Sequence, residues 1–362
     1  MSSSLFTPLT IRSTEFRNRV WVSPMCQYSA TDGEIGEWHK VHLGAFATGG
    51  VGLIMVEATG VEPEGRISLG CTGMWSDKQA QAFRSIIDFA HAQGTKIGMQ
   101  LAHAGRKGST MLPWDDHEIA GQHEGGWATK SASAISYKNF PTPKQMSIEE
   151  IQDLAGKFVE ASVRSLKVGF DVIEIHAAHG YLFHQFLSPI TNTRNDAYGG
   201  SFENRTRFLV ETCQIVRDAI GVDTPLFVRL SATDWVEGGW DIKQSIQLCE
   251  ILKKVGVDLI DVSSGGLVHD AKMNSGPGYQ VGFAVEIKNG SEILTSAVGQ
   301  ITDPIQAEDI IKNKGIDAVM IGRQMLRNPR WAIAAAEELG QQIPWSVQLE
   351  RARKIGARKS PQ

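Results

Sequence analysis

Eight short, almost unbroken apolar runs recur along the chain, each separated from the next by a longer stretch. They lie at 19–22, 52–57, 96–101, 171–176, 225–230, 258–263, 292–297 and 317–322. Their richness in β-branched residues marks strands covered on both faces, as in parallel sheets. Between them, 77–93, 147–168, 203–220, 241–255, 302–313 and 331–339 carry helical spacing. Ser147 with Glu150 forms a capping box, and Gly94 and Gly169 suit the C-terminal stops. Eight strands alternating with helices predict an α/β chain folded as one (β/α)8 barrel over residues 1–340, not an open sheet. The longest interruption, 103–145, is rich in Gly, Ser, Trp and Pro and has no period, so a lid inserted after the third strand is expected. Residues 341–362 are left as a C-terminal segment.

Composition narrows the partners. A net charge of -4 over 362 residues, with no long basic run, argues against nucleic-acid binding. The tail RARKIGARK reads as a solvated helix end. No apolar run reaches the ~20 residues of a membrane span. The opening MSSSLFTPLT has no basic stretch followed by an apolar one, so a cytoplasmic protein is expected. Cys26, Cys71, Cys213 and Cys249 form no CxxC pair and no disulfide framework, which fits a reducing compartment.

In such barrels the carboxyl ends of the strands form the working rim. Here those ends read SPMCQY (23–28), EAT (57–59), QLAHAGR (100–106), HAAHGY (176–181), RLS (229–231), SSGG (263–266), AVG (297–299) and IGR (321–323). The opposite ends hold mostly Gly-x-Asp turns. Gly299, Gly322 and Arg323 at the last two ends suit a phosphate, through close backbone approach and a charged fork. Glycines at such corners also have a purely structural use. Gln100 and Arg229 point into the barrel, one offering donor and acceptor, the other donors only. Together they suit a planar heterocycle with amide-like edges that gathers negative charge, such as a flavin.

The run HAAHGYL (176–182) crowds two imidazoles and a phenol at one strand end. Each could be a satisfied core residue. A metal reading of His176 and His179 lacks a carboxylate or Cys in a matching ligand pattern. Cys26 could equally be a small buried hydrophobe. Cys71, Cys213 and Cys249 are expected to pack in or near helices. Trp75, Trp114 and Trp127 suit either a site wall or plain packing. Arg194, Asp196 and the turn 198–201 read as a structural network ahead of the next helix.

SPMCQY, GRKGST after QLAHA, HAAHGYL, the run LSPITNTRNDAYGGSFENRTRF (187–208) and IGRQMLRNP (321–329) resemble the Old Yellow Enzyme family. Cys26, Tyr28, His176 and His179 resemble its bacterial thermophilic-like subclass of NADPH dehydrogenases. The similarity runs over nearly the whole chain. It implies an FMN-dependent oxidoreductase that takes electrons from NADPH or NADH. These pass to the C=C bond of α,β-unsaturated carbonyl, and nitro, compounds in a ping-pong cycle. Carried over, Ser23, Pro24, Met25, Cys26, Ala58, Gln100, Arg229, Gly299, Gly322 and Arg323 are expected to bind FMN. His176 and His179 would hold the substrate oxygen, Tyr181 would give a proton, and Tyr28 would add a contact. No metal is implied. A homodimer or homotetramer is, with Arg351 (Arg353 being the alternative) reaching a neighbouring subunit's site.

Two rivals remain in view. A sugar-phosphate aldolase or isomerase would want a rim Lys or an acid pair, and Lys107 is the one rim candidate, without paired carboxylates. A flavin-binding sensor would not need the donors and acid at His176, His179 and Tyr181.

Overall fold

The computed structural model describes residues 3–353. A short antiparallel hairpin comes first, β1 (Leu9–Ile11) with β2 (Thr14–Phe16). Then follow β3 (Val20–Val22), α1 (Glu37–Ala47), β4 (Leu53–Gly60), α2 (Asp77–Ala92) and β5 (Lys96–Ala102). The insertion carries two-residue strands β6 (Lys130–Ser131) and β7 (Lys144–Gln145) and no α-helix. Beyond it run α3 (Ile148–Val168), β8 (Val172–Ala177), α4 (Leu182–Leu187), α5 (Phe202–Ile220), β9 (Leu226–Ser231) and α6 (Ile242–Lys254). The chain continues through β10 (Leu259–Ser263), α7 (Val281–Ser291), β11 (Leu294–Ala297), α8 (Pro304–Lys312), β12 (Ala318–Ile321), α9 (Arg323–Arg327) and α10 (Trp331–Glu338). Strands β3-β4-β5-β8-β9-β10-β11-β12 close into a parallel barrel, with β12 returning to β3. The predicted (β/α)8 fold is the fold observed, and each of the eight apolar runs overlaps one barrel strand.

Four helices escaped the sequence reading: α1, α4, α7 and α9. The hairpin did too, and it closes the barrel's amino-terminal end. Its Phe16 packs 4.8 Å from Trp21, which stacks at 5.8 Å on Phe227. Around them Leu53, Met55, Val172, Leu259 and Met320 complete an apolar layer inside the barrel. The other strand faces pack outward against the helices in one large core, with Ile54, Ile173, Val228 and Ile260 meeting Phe83, Phe158 and Leu248.

Side chains alternate with period two along a strand. Two residues beyond Trp21, Met55, Val172, Phe227, Leu259 and Leu294 stand Ser23, Glu57, Glu174, Arg229, Asp261 and Ser296, and two beyond Gly98 stands Gln100, all buried. The barrel interior therefore changes from apolar to polar within one pleat. In barrels of this kind these layers are dominated by branched apolar residues. A polar layer at this depth calls for a partner for every group.

Beyond α10, Ile343 packs on Ile333 and Ala336, and Ser346 Oγ donates to Gln93 Oε1 at 2.7 Å. Gln93 precedes β5, so this segment lies at the barrel's amino-terminal rim. Residues 354–362, which end the expected C-terminal segment and its basic tail, lie outside the described residues. Among the described residues no helix is long and apolar enough to cross a membrane.

Candidate active site

β8 delivers His176 to the carboxyl-terminal rim, and the chain then turns sharply into α4. His179 takes a left-handed φ of 58° and Gly180 one of 73°. A Cβ on Gly180 would stand 2.3 Å from the carbonyl oxygen of Gly266, so only glycine fits there. The turn is held from below and from the side. Gly180 N–H donates to His184 Nδ1 at 2.9 Å, and His184 pairs with Asp234 at 2.7 Å, both fully buried. Gln185 Nε2 donates to the carbonyls of Gly180 at 2.8 Å and Ala104 at 3.0 Å. Lys107 Nζ donates to the carbonyls of His179 at 2.8 Å and Gly266 at 2.9 Å. The six residues of α4, missed in the sequence, thus anchor the loop that matters most.

The three rings meet as the sequence suggested. His176 lies edge-on at 5.1 Å to both His179 and Tyr181. His176 Nδ1 accepts from Ala178 N–H at 3.3 Å, so its proton sits on Nε2. His179 is tied at both ends, its N–H donating to Ser231 Oγ at 2.9 Å and its Nε2 lying 2.7 Å from Ser263 Oγ. Burial, then the nearby Arg229, pushes both imidazoles well below their usual pKa, so both are neutral at pH 7. Burial pushes the Tyr181 phenol well above its usual value, so it keeps its proton. Lys107 stands 5.0 Å from the Tyr181 ring and 4.7 Å from that of Tyr137. Burial above all, then Arg106 and Lys138, lowers its pKa to about 7.

Beneath the rim, members of the polar layer meet one another. Arg229 Nε lies 3.1 Å from Asp261 Oδ2, and Ser296 Oγ donates to Asp261 Oδ1 at 2.9 Å. Gln100 Nε2 donates to Glu174 Oε1 at 2.7 Å. Burial, then Asp261, raises Glu174 to about 8. The sequence reading named Gln100 and Arg229 but not Glu174 and Asp261. Their signal was an acid two residues before His176 and Ser263, on the same strand faces.

A cavity of about 360 Å³ opens at the last two strands, lined by Arg229, Ser263, Tyr279, Gly299, Gly322 and Arg323. Gly299 has a φ of +126°, and a Cβ on Gly322 would meet nothing nearer than 3.6 Å. Both glycines line this cavity beside the guanidinium groups of Arg229 and Arg323, a cradle suited to an anion. Ala58 lies where the β4–β5 register shifts, between Val56 and Thr59. The segment 23–28 is pinned by Ser23 N–H on the Ile321 carbonyl at 3.1 Å and Gln27 N–H on Glu57 Oε2 at 3.0 Å. Pro24, Met25, Cys26 and Tyr28 on it are all half-buried.

Cys71 corrects the expectation of helix packing, since it sits in the loop after β4. Its sulfur interacts with that of Cys26, and Ser68 N–H donates to it at 3.3 Å. The neighbouring Cys71 above all, then burial, raises the Cys26 thiol, and Cys26 lowers that of Cys71. Above the site a second cavity, about 500 Å³, is lined by Tyr28, Lys107, Met111, Leu112, Tyr137 and Tyr181. Trp114 meets Tyr28 edge-on at 6.2 Å, at that cavity's edge, while Trp75 and Trp127 pack against Arg66. Arg194 pairs with Asp196 at 2.6 Å and donates to the carbonyls of Ala132, in the insertion, and Met146, just past it, tying the 187–208 run to that segment. Arg351 is exposed, and Arg353, two residues on, donates to the Ile343 carbonyl at 2.9 Å. That segment faces the opposite rim, so one chain does not bring Arg351 to His176. Among the described residues no group of three or more His, Cys, Asp or Glu is placed to hold a metal ion.

The model of the NADH:flavin oxidoreductase / NADH oxidase family matches residues 4–342. An NADPH dehydrogenase of Bacillus subtilis (strain 168) is 46% identical over 353 residues, covering 97% of this chain and 99% of the relative. Morphinone reductase in complex with tetrahydroNAD superposes with a TM-score of 0.78 at 26% identity, covering 95% of this chain and 93% of the other. The old yellow enzyme homologue from Zymomonas mobilis superposes with a TM-score of 0.76 at 26% identity, covering 95% of both chains.

Proposed function

The chain belongs to the Old Yellow Enzyme family of NADH:flavin oxidoreductases, and on that premise we propose that this FMN-dependent NADPH dehydrogenase reduces activated C=C bonds. Its substrates would be α,β-unsaturated carbonyl compounds, with nitro compounds as a second class, handled in a ping-pong cycle. One observation carries the reading: neutral His176, neutral His179 and protonated Tyr181 share one rim with a cavity walled by Arg229 and Arg323.

The residues fit the cofactor. Gly299, Gly322 and Arg323 would take its phosphate in the open cradle. Ser23, Pro24, Met25, Cys26 and Ala58 would line its ring, with Gln100 and Arg229 at the polar edge. FMN, when bound, supplies the two-electron chemistry that links the nicotinamide to the alkene.

The protein then polarises and protonates. Reduction of a conjugated C=C bond builds negative charge on the carbonyl oxygen. His176 would meet that oxygen through Nε2–H. His179 would do so through Nδ1–H, which requires Ser263 Oγ to donate to its Nε2. Neutral donors aimed at developing charge are worth roughly 10²–10³ in rate each. Tyr181 would pass its proton to the α-carbon, and Tyr28 would flank the substrate below the lid. Arg351 would act on a neighbouring copy's site in a homodimer or homotetramer.

Absorbance of the purified protein tests the reading at its base. A flavin spectrum is expected, bleached by NADPH without oxygen and restored by cyclohexenone. A colourless protein that takes up no added FMN would refute it. Bleaching without recovery on any enone or nitro compound would refute the substrate class alone.

A further inference from the structure

Glu174 has no part in the chemistry above, yet it is fully buried inside the barrel. The layer beneath it is filled by apolar side chains such as Val172 and Phe227. An apolar residue could continue that packing without any cost of desolvation. Asp261, at the same depth, has the Arg229 charge 3.1 Å from Oδ2, outside hydrogen-bond geometry, and accepts from Ser296 at 2.9 Å. Glu174 has one partner, Gln100 Nε2 at 2.7 Å, and its Oε2 has none. A buried acid kept with one oxygen unsatisfied is poor packing material. Its effect is exerted on Gln100.

A carboxamide presents two unlike ends, an NH2 that only donates and an oxygen that only accepts. With Glu174 Oε1 accepting from Gln100 Nε2 at 2.7 Å, the NH2 faces Glu174 and the amide oxygen is turned the other way. We propose that Glu174 is a positioning residue that fixes the Gln100 amide so that its oxygen is presented to FMN. The inference rests on the reading that Gln100 borders the cofactor. An oxidised isoalloxazine carries one ring N–H among several bare acceptors, so the two orientations of Gln100 are not equivalent for binding. With Glu174 in place, the orientation is set before FMN arrives and costs nothing on binding.

Titration of apo-protein with FMN, followed by flavin fluorescence, tests this in wild type, Q100A, E174M, E174D and E174Q. E174M removes the acceptor, and E174D withdraws it by one methylene. Each is expected to weaken FMN binding roughly tenfold, the order of one well-placed buried hydrogen bond. In the Q100A background the same changes are expected to add less than twofold. E174Q, whose amide oxygen can accept from Gln100, is expected to stay within twofold of wild type. Loss through general disorder of the barrel would instead be the same in both backgrounds. Should E174M fail to fold, E174D carries the comparison. Wild-type affinity in E174D, or effects that add fully to Q100A, would overturn the proposal alone. A wild-type protein that takes up no FMN would overturn the functional reading as well.

Discussion

Replacing Lys107 by Met should leave stability near that of wild type at neutral pH and lower it at alkaline pH. Lys107 Nζ holds the carbonyls of His179 and Gly266 at 2.8 and 2.9 Å, and burial lowers its pKa from 10.5 to about 7. The unfolded chain binds this proton more tightly than the folded one. Wild-type stability therefore rises with pH between about 7 and 10.5 on account of this group. At about 1.4 kcal/mol per pKa unit, the cost near pH 7 is on the order of 3–5 kcal/mol, the lower end allowing for residual solvent. Near pH 10 it falls below ~1 kcal/mol. Met carries no such cost but leaves two carbonyls without their donor, at about 1–3 kcal/mol each. The two effects nearly cancel at pH 7, so K107M should match wild type there. At pH 10 the neutral amine still donates, and wild type should lead by about 3 kcal/mol more than at pH 7. Urea unfolding at pH 7, 8.5 and 10 with FMN held constant measures the difference. A gap that stays flat, or narrows with rising pH, would refute the reasoning. Enone turnover should fall in K107M at every pH, because His179 loses the bond that secures its left-handed turn.

Y181F should slow substrate reduction by at least tenfold while reduction of the enzyme by NADPH stays near normal; equal slowing of both would contradict the proton-donor role. G322V fills the cradle, where a Cβ has 3.6 Å of clearance. Its FMN Kd should rise at least tenfold with a native far-UV spectrum, and unchanged affinity would move the phosphate elsewhere. In C71A the Cys26 thiol loses the partner that most raises its pKa. Iodoacetamide should then label Cys26 in apo-protein several-fold faster at pH 8, whereas an unchanged rate would mean the two sulfurs do not communicate. R351A should raise substrate KM without changing flavin content, and an unaltered KM would place Arg351 outside any neighbouring site.

Strand positions were legible because parallel strands covered on both faces have to be apolar throughout, as in 52–57 and 225–230. The helices that went unseen lack the stripe that periodicity needs. In α1 only His39, Leu43, Phe46 and Ala47 are buried. All six residues of α4 are buried, so nothing alternates. At the site, rim residues stood out because imidazole, phenol and guanidinium groups interrupt apolar runs at strand ends. Glu174 and Asp261 were hidden by the same logic, since an acid inside a strand of five or six reads as one polar step, not as half of a pair with the neighbouring strand. The contact between Cys26 and Cys71 joins two loops, and no local pattern encodes that.

Barrel closure has a consequence for how the protein is made. Val20 and Val22, on the first barrel strand, pair with Val319 and Ile321, on the last. About 300 residues separate these partners, a delay on the order of 15–60 s at ordinary rates of synthesis. Until β12 leaves the ribosome, β3 has one open edge, and Trp21 lacks the neighbours that Ala318 and Met320 supply. The nascent barrel is thus an unclosed sheet whose edge invites pairing with other chains. Substitutions along this seam are expected to lower the yield of folded protein in cells far more than they alter the turnover of molecules that do close.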